Sequence, residues 1–486
     1  RAHGHKITHD LSRAGVLVVD STNPRDLASL AGVAGVTTDQ IRIKTPKEDL
    51  AWIDRSQLSP CAVTPTACGL QWDLARINVP KAWQTTRGSA SVKVAVLDTG
   101  LTSTHEEVGS NYDKAESASF VQPNSMCSQD ATTFSSIEDF QGHGTWTNTH
   151  VAGVTGHFMT GIAPRTTLIN IRVLGACGFG LDSWILTGML YANSVGARVE
   201  SMSLGGYLCA FGVVPGSAYC PNSTMVGSDP VTYKAYVQVV KYLARHGTIV
   251  VAAAGNEHAN LGPGGRVLNH STLAFGAPRA DPSNDLFGLA EVPGGVPGVI
   301  AVSAVNRLTW PALHATDTKF GQYGVGREDQ LTYYSSYGSR VDVSAPGGSR
   351  RFNVPLFDCN ASSTCGNLDP TSSAFDNTGD FGAWGVNPNG TPCNNCYVDI
   401  QGTSMATPQV AGVAALALAA HPHLSANGLR ALLRESVSTF HDRNATPPTA
   451  DSPSDPQYNY DIDYDLHGIS DGLMGTGVID AAKAVR

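Results

Sequence analysis

The sequence predicts an α/β protein in which a mostly parallel sheet carries helices on both faces, preceded by a small α+β unit. Short apolar runs alternate with longer helical stretches from about residue 72 onward. Each run is apolar at consecutive positions, which is typical of strands buried on both faces. Alternation of strands with helices favours a parallel sheet with crossover helices. The predicted strands are residues 92–97, 167–173, 199–204, 248–254 and 299–305, and the predicted helices are residues 183–195, 231–246 and 405–420.

The N-terminal part has a different pattern. Residues 7–10 and 16–19 predict two strands, residues 23–30 a short helix and residues 36–42 a third strand. We therefore predict a β-β-α-β unit over residues 1–48, an exposed linker over residues 49–70 and the main domain over residues 71–486. Segments rich in Gly, Pro, Asn or Ser, or otherwise polar, are predicted to be surface insertions, because loops of this length are uncommon in compact cores. These insertions are residues 257–297, 347–399 and 444–468.

Composition argues against two classes of function. Charged residues make up 15% of the 486 residues, the formal net charge is −9, and no run of Lys or Arg stands out. A nucleic-acid partner is therefore not expected. The longest apolar run, around residues 410–420, is shorter than the roughly 20 residues that cross a bilayer, so we expect no membrane-spanning segment. Because the sequence begins with Arg1, we expect that an upstream piece, in which a secretory signal would lie, has been removed.

The ten cysteines indicate an oxidising compartment. Eight of them form near pairs along the chain, and Cys127 and Cys177 remain. An even number in local pairs favours disulfides and a secreted, extracellular protein. The near pairs are Cys61/Cys68, Cys209/Cys220, Cys359/Cys365 and Cys393/Cys396.

Two metal sites are open alternatives. Cys393 and Cys396, together with Cys359 and Cys365, have the residue types of a zinc site, although the Gly/Asn/Ser-rich context favours disulfides. The acidic run Asp461-Ile-Asp-Tyr-Asp465 has carboxylates that suit a structural calcium ion, although such runs are more often a solvated surface.

Two polar residues lie where chemistry is expected in such a sheet. Asp98 follows the strand at 92–97, and catalytic groups of parallel α/β sheets lie at the carboxyl ends of strands. Ser404 lies at the start of a strongly apolar helix, where backbone N–H groups and the helix dipole favour an oxyanion. The alternatives are an aspartate that opens a turn and a serine that caps a helix. Ala406 occupies the position where an α/β-hydrolase elbow requires glycine, which disfavours that fold.

Four motifs, in order, resemble those of the subtilases, the subtilisin-like serine proteases. They are Val-Leu-Asp-Thr-Gly at 96–100, Gly-His-Gly-Thr at 142–145, Ala-Ala-Ala-Gly-Asn at 252–256 and Gly-Thr-Ser-Met-Ala-Thr-Pro at 402–408. The resemblance spans roughly residues 71–486. It implies a subtilisin-like fold and a secreted, monomeric serine endopeptidase that needs no cofactor for catalysis and acts on proteins or peptides.

The resemblance also implies roles for individual residues. Ser404 would be the nucleophile, His143 the general base and then acid, and Asp98 the group that orients the imidazole. The Asn256 side-chain amide and the Ser404 backbone N–H would stabilise the oxyanion. The residues that correspond to the substrate-binding segments are Ser203, Leu204, Gly205, Ala254 and Gly255.

Residues 1–48 resemble the back part of a subtilase pro-domain. In the family such a segment occupies the cleft of a zymogen and is cut away. We therefore expect a maturation cut between about Thr45 and Cys68.

One departure from the family pattern concerns the histidines His143 and His150. About four residues are inserted between Gly-His-Gly-Thr and Val-Ala-Gly, close to one helical turn of 3.6 residues. The two histidines are therefore expected on the same face of the helix, and their spacing does not show which one is catalytic. We assign His143 to catalysis because it lies between two glycines at the expected helix mouth, whereas His150 adjoins an apolar stretch. His105 is expected to be structural, and Glu257 to lie at the rim of the specificity pocket, where it would favour basic side chains.

Two rival functions remain at this point. One is a catalytically weak pseudoprotease or binding scaffold, suggested by the inserted turn. The other is a carboxyl-type serine peptidase of similar fold, which His143 and Asn256 disfavour because that class has Glu and Asp at those places.

Overall fold

The computed structural model describes residues 5–44, 50–58, 71–124, 127–154, 157–271, 285–305, 331–348, 379–438 and 473–486, except residues 22, 218 and 333. The strands in these ranges are β1 (Lys6–Leu11), β2 (Val16–Asp20), β3 (Ile41–Lys44), β4 (Leu50–Ile53), β5 (Lys93–Asp98), β6 (Ala118–Ser119), β7 (Thr167–Arg172), β8 (Phe179–Leu181), β9 (Val199–Met202), β10 (Leu204–Leu208), β11 (Ile249–Ala253), β12 (Ala290–Val292), β13 (Ile300–Val305), β14 (Val343–Pro346), β15 (Asp380–Val386), β16 (Pro392–Ile400), β17 (Val437–Ser438) and β18 (Val478–Ile479). The helices are α1 (Pro24–Ala28), α2 (Trp72–Arg76), α3 (Val79–Ala82), α4 (Asp130–Thr133), α5 (His143–Ala152), α6 (Asp182–Ser194), α7 (Ser223–Val226), α8 (Asp229–Arg245), α9 (Thr403–Ala420), α10 (Ala426–Glu435) and α11 (Ala481–Ala484).

A nine-stranded sheet forms the centre of the molecule, in the order β17-β18-β14-β13-β11-β9-β5-β7-β6. Its pairings are parallel except for the one between β17 and β18. The third N-terminal strand, predicted at 36–42, lies at Ile41–Lys44. The strands and helices predicted from residue 92 onward are confirmed, with ends that shift by one or two residues. The exception is the strand predicted at 199–204, which is interrupted at Ser203 because the chain leaves the central sheet there and β10 joins another sheet.

Both faces of the central sheet are covered by helices. Along β5, Val94 and Val96 pack in the core cluster that contains α9, whereas Ala95 and Leu97 pack in the cluster that contains α6 and α8. Successive side chains of a strand point to opposite faces, so a strand covered on both sides is apolar at every position. The predicted α/β class is therefore confirmed.

Helix α9 is the central buried helix of one layer. It is long and apolar enough to span a membrane by length and composition alone, but most of it is buried inside the protein. It packs against α5 and against β9, β11 and β13. Its apolar character therefore belongs to the core of the fold.

The N-terminal segment does not form the separate unit that the sequence predicts. Strands β1 and β2 pair with each other, but β3 lies between β8 and β10 of the main domain, antiparallel to both. The predicted linker is also partly wrong, since β4 pairs with β16. In both cases the hydrogen-bonding partners are far along the chain, where a local pattern carries no information.

Two predicted surface insertions contribute to the core in their described parts. Within residues 257–297, β12 pairs with β10, and Val267, Leu286 and Leu289 are buried. Within residues 347–399, β15 is buried along its whole length and forms an antiparallel hairpin with β16. The expectation of surface loops is therefore wrong for these parts. The third insertion, 444–468, lies outside the described residues.

Disulfide bonds join Cys127 to Cys177, Cys209 to Cys220 and Cys393 to Cys396. The two local pairs within the described residues are thus confirmed, and the two leftover cysteines pair with each other. The zinc alternative is wrong because Cys393 and Cys396 are bonded to each other. Cys61, Cys68, Cys359 and Cys365 lie outside the described residues.

Candidate active site

The candidate site lies at the carboxyl edge of three adjacent strands. Asp98 is the last residue of β5, Ser203 follows β9, and Asn256 lies just beyond β11. Because β11, β9 and β5 are neighbours in the sheet and run parallel, these residues share one edge. This is the edge at which parallel α/β sheets hold their functional groups.

Asp98 and His143 form a buried acid–imidazole pair. Their Oδ1 and Nδ1 atoms are 2.7 Å apart, and both side chains are fully buried. The same carboxylate oxygen accepts a hydrogen bond from the Thr99 backbone N–H at 2.7 Å. The other oxygen accepts one from the Thr147 hydroxyl at 3.2 Å. A carboxylate held by several donors fixes the orientation of the imidazole that it contacts.

Asp139, which lies outside the sequence motifs, holds the beginning of α5 in place. Its carboxylate accepts hydrogen bonds from the Gly142 backbone N–H at 2.8 Å and from both the N–H and the hydroxyl of Thr145, at 2.8 and 2.7 Å. It also accepts one from the Thr99 hydroxyl, next to Asp98. The N-cap of α5 is Gly142, three residues after Asp139, so no local capping pattern in the sequence marks this aspartate. Asp139 thus joins the turn that bears Asp98 to the helix that bears His143.

Ser404 is the second residue of α9 and is fully buried. The Asn256 side-chain oxygen accepts hydrogen bonds from the Thr403 N–H at 2.9 Å and from the Thr403 hydroxyl at 2.7 Å. The Ser203 hydroxyl donates to the Ser404 carbonyl at 2.8 Å. The start of α9 is therefore fastened to the ends of both β9 and β11, and α9 packs against α5.

His150 lies in a different environment from His143, although both belong to α5. Its ring stacks on Trp146, with centroids 3.5 Å apart. Its Nε2 is 3.4 Å from Asp73 Oδ2, and both side chains are fully buried. The structure therefore brings His143, not His150, together with Asp98.

Of the predicted substrate-binding residues, Ser203 lies between β9 and β10, Leu204 and Gly205 begin β10, and Ala254 and Gly255 form the turn after β11. Leu204 and Gly205 pair with Lys44 and Ile43 of β3. Ala254 is buried and donates its N–H to the Val302 carbonyl at 3.0 Å. Gly255 has a φ of +103°, a conformation that L-residues rarely adopt.

Glu257 and His105 are both buried. The Tyr207 hydroxyl of β10 donates to Glu257 Oε2 at 2.7 Å, so the predicted rim carboxylate is bonded within the protein. His105 Nε2 lies 3.0 Å from the Cys396 carbonyl, and its Nδ1 accepts from the Glu107 N–H. Burial lowers the pKa of His105 to about 4. These contacts agree with the structural role expected for His105.

The described ranges contain no group of three or more His, Cys, Asp or Glu side chains that could hold a metal ion. The acidic run 461–465, predicted as a calcium alternative, lies outside them. A calcium ion there stays a prediction.

A parallel α/β sheet with a buried acid–imidazole pair at its edge and a serine at a neighbouring helix start defines the class of serine hydrolases. The profile of the subtilase family matches residues 89–458, and the chain belongs to that family. It is therefore a serine endopeptidase of a family that needs no cofactor for catalysis. This assignment disfavours the carboxyl-type rival.

Known proteins agree with the assignment. The chain is 28% identical over 414 residues to subtilisin NAT of Bacillus subtilis subsp. natto, covering 84% of this chain and 75% of that one. It is also 28% identical to subtilisin E of Bacillus subtilis strain 168 over the same length. Among solved structures, a protease from Pseudoalteromonas arctica PAMC 21717 has 26% identity and a TM-score of 0.53, covering 85% of this chain and 96% of that one. The epidermin leader peptide processing protease from Staphylococcus aureus, at 19% identity, shares the fold with a TM-score of 0.63 over 99% of this chain and 92% of that one.

Proposed function

We propose that this chain is a secreted endopeptidase that hydrolyses peptide bonds through Asp98, His143 and Ser404. The observation that carries the proposal is the 2.7 Å contact between Asp98 Oδ1 and His143 Nδ1, fully buried beside the helix that begins with Thr403 and Ser404. A serine hydroxyl is a weak nucleophile and requires a base that is itself oriented by a third group. The alternative, a weakly active scaffold, gains no support because all the groups of the site are present.

The proposed reaction proceeds in two halves. The Ser404 hydroxyl oxygen attacks the scissile carbonyl carbon while His143 Nε2 takes the hydroxyl proton, and Asp98 stabilises the imidazolium. The C–N bond then breaks as His143 returns the proton to the leaving amine, which leaves an acyl-enzyme. A water molecule, deprotonated by His143, attacks the acyl carbon, and Ser404 recovers its proton as the acid product departs.

The tetrahedral intermediates place negative charge on the former carbonyl oxygen. We assign its stabilisation to the Asn256 side-chain amide and the Ser404 backbone N–H. The hydrogen bonds from Thr403 occupy the Asn256 oxygen and orient the amide group. An amide fixed before the reaction costs no reorganisation when the charge develops.

The N-terminal segment is proposed to be the pro-segment of a zymogen. Strand β3 lies along Leu204 and Gly205, two of the residues assigned to substrate binding. A segment paired there prevents an extended substrate from pairing with the same residues. Removal by a cut between about Thr45 and Cys68 stays a prediction, as do monomeric state and secretion. The three disulfides among the described residues support an oxidising compartment.

The experiment that tests the proposed function is covalent labelling with a serine-directed fluorophosphonate. On the enzyme freed of its N-terminal segment, we expect one label per molecule on Ser404, and none after Ser404→Ala. In a separate peptide-hydrolysis assay, His143→Ala should reduce turnover by about a thousandfold or more, the size of loss seen when a member of such a triad is removed. His150→Ala is the matched control and should retain turnover in the fraction that folds. The reverse result for the two histidines would contradict the assignment.

A further inference from the structure

Strand β3 occupies a groove between β8 and β10 in the manner of an extended peptide. Ile43 pairs with Phe179 on one side and Gly205 on the other, and Lys44 pairs with Leu204. The segment therefore runs towards Ser203, whose hydroxyl is bonded to the Ser404 carbonyl. In an antiparallel peptide that continues this register, the residue after the Lys44 position lies opposite Ser203, beside Ser404.

Alternate side chains of β3 point in opposite directions. Ile41 and Ile43 are 46% and 38% exposed, whereas Arg42 between them is 4% exposed. The buried Arg42 side chain passes over Gly206, where an added Cβ would lie 2.9 Å from Arg42 Cδ. Because Gly206 has no side chain, the arginine side chain has room to lie there.

The guanidinium of Arg42 forms an ion pair with the carboxylate of Asp182, the first residue of α6. Arg42 Nη2 donates to Asp182 Oδ2 at 3.0 Å, and Arg42 Nε lies 3.0 Å from Asp182 Oδ1. The Tyr236 hydroxyl donates to the same Oδ1 at 2.6 Å. We call Gly206, Asp182 and Tyr236 the arginine pocket. All three belong to the main domain, whereas the arginine belongs to the N-terminal segment.

We infer that the arginine pocket is a specificity site that selects peptide substrates with arginine three residues before the residue opposite Ser203. The inference rests on the proposed function, in which the N-terminal segment leaves the groove and a substrate strand takes its place. Departure of that segment removes the guanidinium from a carboxylate whose side chain is 6% exposed in the intact chain. A substrate arginine would restore both the ion pair and the cover that Arg42 supplies in the intact chain, so the pocket favours a substrate that brings a cation back.

Arginine suits the pocket better than lysine. Arg42 Nη2 donates to Asp182 Oδ2, and Nε lies 3.0 Å from Oδ1 without hydrogen-bond geometry, so the planar guanidinium faces both carboxylate oxygens, which a compact ammonium group does not do. A further nitrogen, Nη1, donates to the Ile41 carbonyl of the peptide strand itself at 2.7 Å. Lysine should therefore be accepted less well than arginine.

The test uses the full chain with Ser404→Ala, so that it stays intact, and with Arg42→Gln, so that its own segment competes less for the pocket. Fluorescent peptides that differ only at the arginine position carry arginine or citrulline, its uncharged isostere, and binding is measured by anisotropy. We expect the arginine peptide to bind about tenfold to a hundredfold more tightly, the range for a close, desolvated charge pair. Adding Asp182→Asn should abolish this difference. Equal binding of the two peptides with Asp182 intact would overturn the inference.

Two matched controls sharpen the result. Arg13→Gln in place of Arg42→Gln removes another arginine of the N-terminal segment, one that donates to the Leu190 carbonyl outside the groove, and should not raise peptide affinity. Glu116→Gln removes an acid paired with Lys93 and should preserve the arginine preference. An equal loss of preference with Glu116→Gln and Asp182→Asn would show a nonspecific charge effect and overturn the inference.

Hydrolysis separates this inference from the proposed function. With Ser404 intact and the segment removed, kcat/KM should favour the arginine peptide by the same factor. Preferential binding without hydrolysis of either peptide would support the pocket and contradict the proposed function. Equal hydrolysis of both would support the proposed function and overturn the pocket.

Discussion

Asp182 illustrates how burial and charge combine at a single residue. Burial raises the pKa of Asp182 to about 6, although Arg42 beside it and the Tyr236 hydroxyl act in the opposite direction. Asp39 and Asp229, the other charged groups that act on it, raise its pKa further. A raised carboxyl pKa means that the group is neutral below about pH 6 and charged above it.

The arginine preference should therefore depend on pH. Between about pH 5 and 8, the ratio of kcat/KM for the arginine peptide to that for the citrulline peptide should rise as Asp182 loses its proton. The ratio cancels the pH dependence of the catalytic steps that both peptides share. In Asp182→Asn the ratio should stay flat. A flat ratio in the parent enzyme across pH 6 would contradict the prediction.

Helix α5 shows how neighbouring elements position a residue. Gly142 precedes His143 with a φ of +107°, and a Cβ at this position would lie 2.2 Å from Trp384 Nε1 of β15. Gly382 of the same strand lies against the Trp146 indole, and a Cβ added to Gly382 would lie 2.4 Å from Trp146 Nε1. The hairpin predicted as a surface insertion is thus packed against the beginning and middle of α5.

Gly142→Ala should lower kcat strongly, although it lowers the free energy of unfolding only modestly. The added methyl group pushes against Trp384 and moves the helix start, and a displacement of about 1 Å at a catalytic group costs about a hundredfold in rate. Gly390→Ala is a matched control, because Gly390 also has a positive φ of +76° but no atom near its added Cβ. Both variants should lose about 1 kcal/mol or more of unfolding free energy from the backbone strain. The kcat of Gly142→Ala should fall, whereas that of Gly390→Ala should stay at the parent value. Equal kcat values in the two variants would contradict the prediction.

At the scale of the whole molecule, the disulfide bonds close chain loops of very different length. The Cys127–Cys177 bond closes 50 residues and holds the segment before β8, one wall of the groove. The Cys393–Cys396 bond closes only 3 residues within β16. A longer closed loop restricts the unfolded chain more.

Replacing Cys127 and Cys177 together by serine should therefore destabilise the protein more than replacing Cys393 and Cys396. The chain-entropy relation gives about 4 kcal/mol for the long loop and about 1.6 kcal/mol for the short one. The free energy of unfolding in urea, measured on the Ser404→Ala chain to prevent self-digestion, checks the difference. A larger loss for the short loop would contradict it.

The sequence by itself determined the five inner strands β5, β7, β9, β11 and β13 of the central sheet, the helices α6, α8 and α9, the family and the residues that are candidates for the site. Consecutive apolar residues reveal strands buried on both faces, and the motifs around Asp98, His143 and Ser404 are contiguous in the chain. Local pairs such as Cys209 and Cys220 are predictable for the same reason. Each of these features is encoded within a few neighbouring residues.

Only the tertiary structure decided how His143 is brought against Asp98, where β3 and β4 pair, and which carboxylate Arg42 contacts. His143 and His150 are two helical turns apart on one helix, so their spacing does not distinguish them. The partners of β3 lie more than 130 residues away in the sequence. Such contacts arise because hydrogen-bonding groups and apolar surface must be satisfied by whatever the folded chain brings near, and that proximity is absent from any local pattern.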